Sequence, residues 1–338
     1  MSNRFQYMEI RKLQTTAGGT FMITMPREWV NKLRLKKGDL VSVELEAGDM
    51  IISPANSRAE QQSHPLEISE FRDKKMLDLC ITASYMVGHD VTEVVSNRKV
   101  APEQKRWIRE TVDGLLGLEI SEEFSNQVVL QNLVDPTKFD IFRSIERFSA
   151  TSRAVFNDAI KSLAEDDIAL AQDAYDRGKE STKTYRLLFR LALQAANDKK
   201  LRVHMRLPNI SAAVVVLQSV RELGRIAYYS MRIAQHVQEM KKRPEKPLVS
   251  AISDMAIIVS GMQEQATKSF LAKDFNAASN VMDRIEKVRN LNESAFLQLL
   301  REKDEKSSMA ITLIVRDIRN IASYASALAE DAILAAFN

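Results

Sequence analysis

From Pro136 to the end of this 338-residue chain, apolar residues recur at three- and four-residue spacing, and no alternating strand pattern interrupts them. The pattern predicts six helices, over 137–164, 167–197, 209–241, 248–272, 274–302 and 306–336. Each break carries a stop signal: Glu165-Asp166-Asp167, Asn197-Asp198 ahead of Pro208, Pro244 and Pro247, Lys273-Asp274, and Lys303-Asp304-Glu305. One face of the last helix gathers Ile311, Ile314, Ile318, Ile321 and Ala325. The third helix of each set of three shares a pattern. Arg221-Glu222-Leu223-Gly224-Arg225-Ile226-Ala227-Tyr228-Tyr229 is matched by Arg316-Asp317-Ile318-Arg319-Asn320-Ile321-Ala322-Ser323-Tyr324. A repeat of about 100 residues exceeds solenoid periods and fits two packed three-helix bundles, 136–242 and 243–338.

The first 135 residues read differently. Met22-Ile23-Thr24-Met25, Leu40 to Leu45 and Met50 to Ser53 suit short strands, with Gly18-Gly19 as a turn. Pro26 leads a helical turn from Arg27 to Leu33. Residues 55–66 are polar and aperiodic, as in a linker. Residues 67–135 predict a small α/β subdomain. Its helices run from Ser69 to Val87, closed by Gly88, and from Pro102 toward Leu116; its strands are Val91 to Val95, Leu118 to Ile120 and Val128 to Leu133. The expected class is α+β multidomain: a β module over 1–55, linker and α/β subdomain over 56–135, then the two helical bundles.

A net charge of +3 on 93 charged side chains excludes nucleic-acid binding over the whole surface and leaves only a local patch. The single cysteine, Cys80, permits no intrachain disulfide and reads as a small buried hydrophobe. No apolar run reaches the roughly 18 residues that cross a bilayer, and the N-terminus lacks a leader's apolar core, so a cytoplasmic protein is expected. There is no phosphate-binding glycine loop, no H-E-x-x-H and no paired cysteines. His64, His89, His204 and His236 are scattered. Neither enzymatic activity nor a cofactor is expected.

Arg11-Lys12-Leu13-Gln14, Gly18-Gly19-Thr20, Met25-Pro26-Arg27-Glu28-Trp29, Leu35-Lys36-Lys37-Gly38-Asp39-Leu40-Val41 and Ile51-Ile52-Ser53-Pro54 together resemble the AbrB/SpoVT/MazE swapped-hairpin family. About 50 residues bury too little to be stable singly, and the resemblance implies a homodimer through residues 1–55. It also implies contact with a palindromic DNA site through Arg11, Lys12 and Arg27, with Lys32, Arg34, Lys36 and Lys37 adding phosphate contacts. Residues 1–55 hold eight Lys or Arg against six Asp or Glu, a modest excess that leaves dimerisation alone as the alternative. Trp29 reads as a core anchor.

The three-plus-three helix plan and its repeated third helix resemble PhoU, and the two halves together are similar to an archaeal arrangement. The resemblance implies a link to phosphate uptake, and a phosphate transporter or its ATPase as a partner. In that family a Glu and an Asp four apart on the third helix help to bind metal. Here the Glu places hold Gly224 and Arg319, and the Asp places Tyr228 and Ser323, so no metal is expected. Instead Arg221, Arg225, Tyr228 and Arg232 fall on one helix stripe, suited to an anion or an acidic partner. The acidic faces Asp173, Asp176, Glu180 and Asp283, Glu286 read as solvated.

Overall fold

The computed structural model describes residues 9–46, 49–55, 63–71, 73–240, 243–299 and 305–338. The chain divides into two units, Met1–Gln61 and Gln62–Asn338.

In the first unit, β1 (Gln14–Thr15) and β2 (Phe21–Met22) form an antiparallel pair. Gly19, at φ +79, makes the turn between them. Pro26 precedes α1 (Arg27–Lys32), where a missing N–H costs nothing. Arg34 and Gly38 take positive φ, and the Asp39 carboxylate accepts the Lys36 N–H at 2.7 Å, turning the chain into β3 (Val41–Glu46). β4 (Asp49–Pro54) returns antiparallel, with Val43 opposite Ile52. The expected strand at Met22–Met25 is shorter and starts one residue earlier, because only Phe21 and Met22 meet a partner. No described residue of this unit is buried. Ile10, Leu13, Phe21, Leu40, Val43, Leu45 and Met50 are all more than half exposed, and Trp29 is only half-buried.

The second unit opens with β5 (Ser63–Glu67), α2 (Lys74–Val87) and β6 (Val91–Val95), a parallel β-α-β unit. α3 (Pro102–Val112), β7 (Leu118–Glu123) and β8 (Gln127–Asn132) complete a sheet of order β5-β6-β8-β7. Residues 63–66 therefore belong to a strand rather than to the expected linker. Their polar composition and Pro65 suit an edge position, where one backbone side needs no partner. α2 starts at Lys74, not Ser69, because the Asp73 carboxylate caps it by accepting the Met76 N–H at 2.9 Å. α3 stops at Val112, short of Leu116. Leu77, Ile81, Tyr85, Val94, Ile108 and Leu130 form the subdomain's core. Cys80, expected inside, is half-buried against that core.

The helices that follow are α4 (Ile141–Glu165), α5 (Ile168–Asn197), α6 (Lys199–His204), α7 (Ile210–Glu239), α8 (Lys246–Ala272), α9 (Phe275–Met282), α10 (Arg284–Leu299) and α11 (Glu305–Ala336). Asp140, Asp167, Asp198, Asn209 and Asp274 each cap the helix that follows. The helix expected over 274–302 is broken at Asp283 into α9 and α10, and the break expected before Pro208 contains α6. One continuous core, from Ile141 to Ala335, joins both sets of helices. α7 and α11, the third long helices of the two sets, pack against each other within it.

α5 also holds the α/β subdomain. Arg190, 1% exposed, donates to the carbonyls of Tyr85 (2.7 Å) and His89 (2.8 Å) and to Asp90 Oδ1 (2.7 Å). Its guanidinium lies 5.2 Å from the Tyr85 ring centre. Arg186 donates to the Gly114 carbonyl at 3.1 Å, and Gln194 to that of Gly88 at 3.4 Å. Positions 186, 190 and 194 lie one turn apart, so one face of α5 supplies the whole clamp.

Candidate functional site

The basic residues singled out in the first unit fall into two groups. Arg11 and Lys12 precede β1. Arg27 opens α1, Lys32 closes it, and Arg34, Lys36 and Lys37 follow on the way to β3. All seven are exposed. Only Arg11 is in an ion pair among the described residues, with Glu9 at 2.5 Å. Long cations spread along an exposed edge offer charge to phosphates and little geometry for reading bases.

The stripe on α7 divides. Arg221, Arg225 and Tyr228 are exposed, and the two arginines make no ion pair or hydrogen bond among the described residues. Arg232 is half-buried, its Nη2 lying 3.3 Å from His236 Nε2. His236, 2% exposed, lies 3.5 Å from Asp317 Oδ2 on α11 and 3.2 Å from Glu239 Oε2. Asp317, wholly buried, accepts from Arg316 Nε (3.0 Å) and Nη2 (2.8 Å) at Oδ1. Arg232 thus faces an interior charged cluster, while the other three face solvent. Beside them Tyr228 meets Tyr229 edge-on at 5.2 Å, and Tyr229 stacks on Tyr324 at 5.8 Å and 17°. Burial, aided by the neighbouring Tyr324 and Asp317, raises the Tyr229 phenol above its ordinary value.

The repeat places a second buried group at the α7–α11 contact. Asp331 of α11, wholly buried, accepts from Ser219 Oγ at 3.1 Å through Oδ2, while Oδ1 has no partner. Desolvation, opposed by Ser219 and reinforced by Glu222 and Glu330, pushes its carboxyl up to about 7. Glu222 is raised as well, chiefly by burial, with Arg221 and Arg225 opposing. In the repeat pattern Glu222 corresponds to Asp317.

A carboxylate metal site of the third-helix type does not fit these residues. At Gly224 a Cβ would collide with the ring of Tyr185 from α5, so the space for a side chain is filled. Tyr228 and Ser323 supply no carboxylate, and Ser323 Oγ donates to the Arg319 carbonyl at 3.1 Å. Among the described residues no group of three His, Cys, Asp or Glu is placed so that it could hold a metal ion. The acidic faces are largely taken up locally: Asp173 by Arg177 (2.8 Å), Asp176 by Gln172 (2.9 Å), Glu180 by Lys183 (3.0 Å) and Glu286 by Arg289 (3.1 Å).

The sequence pattern does not mark Asp317, Asp331 or His236 as buried partners, and marks Arg190 only faintly. Arg190 carried a signal, a lone charge in the apolar run Leu187-Leu188-Phe189-Arg190-Leu191. The others sit beside surface positions of the same helix and carry none.

Comparison with known proteins gives two family matches. The PhoU domain matches residues 145–237 and 252–332. The family described as antidote-toxin recognition MazE, bacterial antitoxin, matches residues 14–60. The fold is similar to that of the phosphate transport system regulatory protein PhoU from Streptococcus pneumoniae, at TM-score 0.50 and 14% identity over 57% of this chain and 91% of that one. It is also similar to PhoU from Pseudomonas aeruginosa, at TM-score 0.50 and 18% identity over 57% and 94%. No curated protein matches the chain. Among the described residues no helix is long and apolar enough to cross a membrane.

Proposed function

Since PhoU domains occupy just over half of its residues, this chain belongs to the PhoU family, and we propose that it is a non-enzymatic, DNA-binding regulator linked to phosphate uptake. The MazE-like module over 14–60 is the DNA-contacting and dimerising head, and the helical body receives the signal or the partner. One observation carries this reading: the head combines seven exposed basic side chains with no buried residue among those described. A module of that kind gains a core by interleaving with a second copy, and the resulting twofold suits a palindromic site.

A mobility-shift titration against the protein's own upstream DNA, run across salt concentrations, tests it. The expected result is sequence-dependent binding in the nanomolar range, weakened by the double change Arg11→Ala with Lys12→Ala. Binding that ignores sequence and vanishes at modest salt supports a second reading, favoured by the exposed Arg221, Arg225 and Tyr228. In that reading the head only dimerises, and the body is an adaptor for an acidic face of a transporter ATPase.

A further inference from the structure

A cleft of about 500 Å³ opens between α4 and α5, closed at one end by Leu116 of the turn joining α3 to β7. Its size is that of a small-molecule site, and it lies at a junction of substructures, where such sites concentrate. Its lining is two-sided. Phe148 and Leu187, almost wholly buried, form an apolar floor with Phe139 and Leu116. Arg147, Arg177 and Lys183 stand against a single acid, Glu180.

The cations are not equivalent. Arg177 is held by Asp158 at 2.5 Å and Asp173 at 2.8 Å, and Lys183 by Glu180 at 3.0 Å. Arg147 has no anionic partner among the described residues. The pair Arg177–Asp158 bridges the antiparallel α4–α5 hairpin. With position 158 opposite 177, Thr151 comes opposite Thr184, and Arg147 level with Leu187 and Leu188. Thr184 adds a hydroxyl on the α5 wall. The wall at Leu116 is held firmly: its carbonyl accepts from Tyr85 Oη at 2.8 Å, and Tyr85 lies under Arg190. Gly117 continues that turn at φ +73, where any side chain would run into Val134.

We propose that this cleft binds a small organic anion with an apolar body and a phosphate or carboxylate head. Arg147 takes the head by paired hydrogen bonds, and the body lies on Phe148, Leu187 and Leu116. The occupant touches α4, α5 and the α/β subdomain at once, which gives that subdomain a role in ligand sensing.

Titration calorimetry on the full chain tests this with phenyl phosphate and phenylacetate as the two kinds of head, inorganic phosphate as the head alone and benzyl alcohol as the body alone. One organic anion is expected to bind once per chain, at least about tenfold tighter than either fragment. Exposed Arg147, changed to Ala, should weaken it about tenfold without altering the melting temperature. Thr184→Phe, which fills the cleft, should abolish it, and Arg225→Ala on α7 should change nothing. The proposal falls if inorganic phosphate binds as tightly as the organic anions, or if Arg147→Ala leaves affinity intact. It falls equally if neither organic anion binds at about 10 mM.

Discussion

At the level of single residues, the energetic tension lies in the acids buried between α7 and α11. Asp331 has its carboxyl raised to about 7, against an ordinary value near 3.8. The folded chain therefore holds a proton there that the unfolded chain releases. Its contribution is complete below about pH 4 and is lost as pH climbs through 7. Asp331→Asn should keep the neutral form at every pH, and its new N–H₂ can face the raised acid Glu222. Denaturant titrations should show the variant stabilised at pH 8 by about 2–4 kcal/mol and near wild type at pH 4. A variant weaker than wild type at both values would contradict this picture. Gly224 is a second case where one position decides chemistry. The Tyr185 ring occupies the room that a carboxylate would need, so the departure from the family's metal pattern is built into packing as well as composition.

Among the elements, α5 has the most tasks. It lines the organic-anion cleft with its middle and grips the α/β subdomain with Arg186, Arg190 and Gln194. Removing Arg190 strips buried carbonyls and Asp90 of their donor. Arg190→Ala should cost about 3–5 kcal/mol. Hydrogen exchange should then quicken in α2 and β6 while α7 and α11 stay protected; uniform loosening of all four would refute the clamp. The long helices were legible in the sequence, because periodicity over twenty-five residues and an acidic or Asn cap are strong signals. Smaller pieces were not. β1 and β2 hold two residues each, too few to show alternation. β5 looks like linker because an edge strand tolerates polar residues and Pro65. The break at Asp283 lies within an uninterrupted helical pattern, and α6 fits into a segment that reads as loop. The stripe of Arg221, Arg225 and Tyr228 was legible as spacing, but Arg232 was misplaced with it. Its 3.3 Å approach to His236 is ordinary i,i+4 spacing on α7, but the burial of His236 beside Asp317 depends on how α11 packs, which no single-helix pattern contains.

For the molecule as a whole, the two units contrast sharply. The helical part has one core running from Ile141 to Ala335, where each fully buried Ile or Leu contributes about 1.5–3 kcal/mol. The first unit leaves Ile10, Leu13, Phe21, Leu40, Leu45 and Val43 facing outward. In an isolated chain, Val43→Asp would be an ordinary surface change worth within about 0.5 kcal/mol. In an interleaved pair it buries a carboxylate. Light-scattering mass should fall from two chains to one, with the helical signal intact; an unchanged dimer would mean that pairing occurs elsewhere. A head that interleaves as proposed, with no buried residue among those described in the single chain, would also tie its folding to supply. Assembly is second order in chain number, so in the dissociated regime halving the amount of protein cuts the finished heads about fourfold. Such a segment works as a gauge of how much of its own product is present.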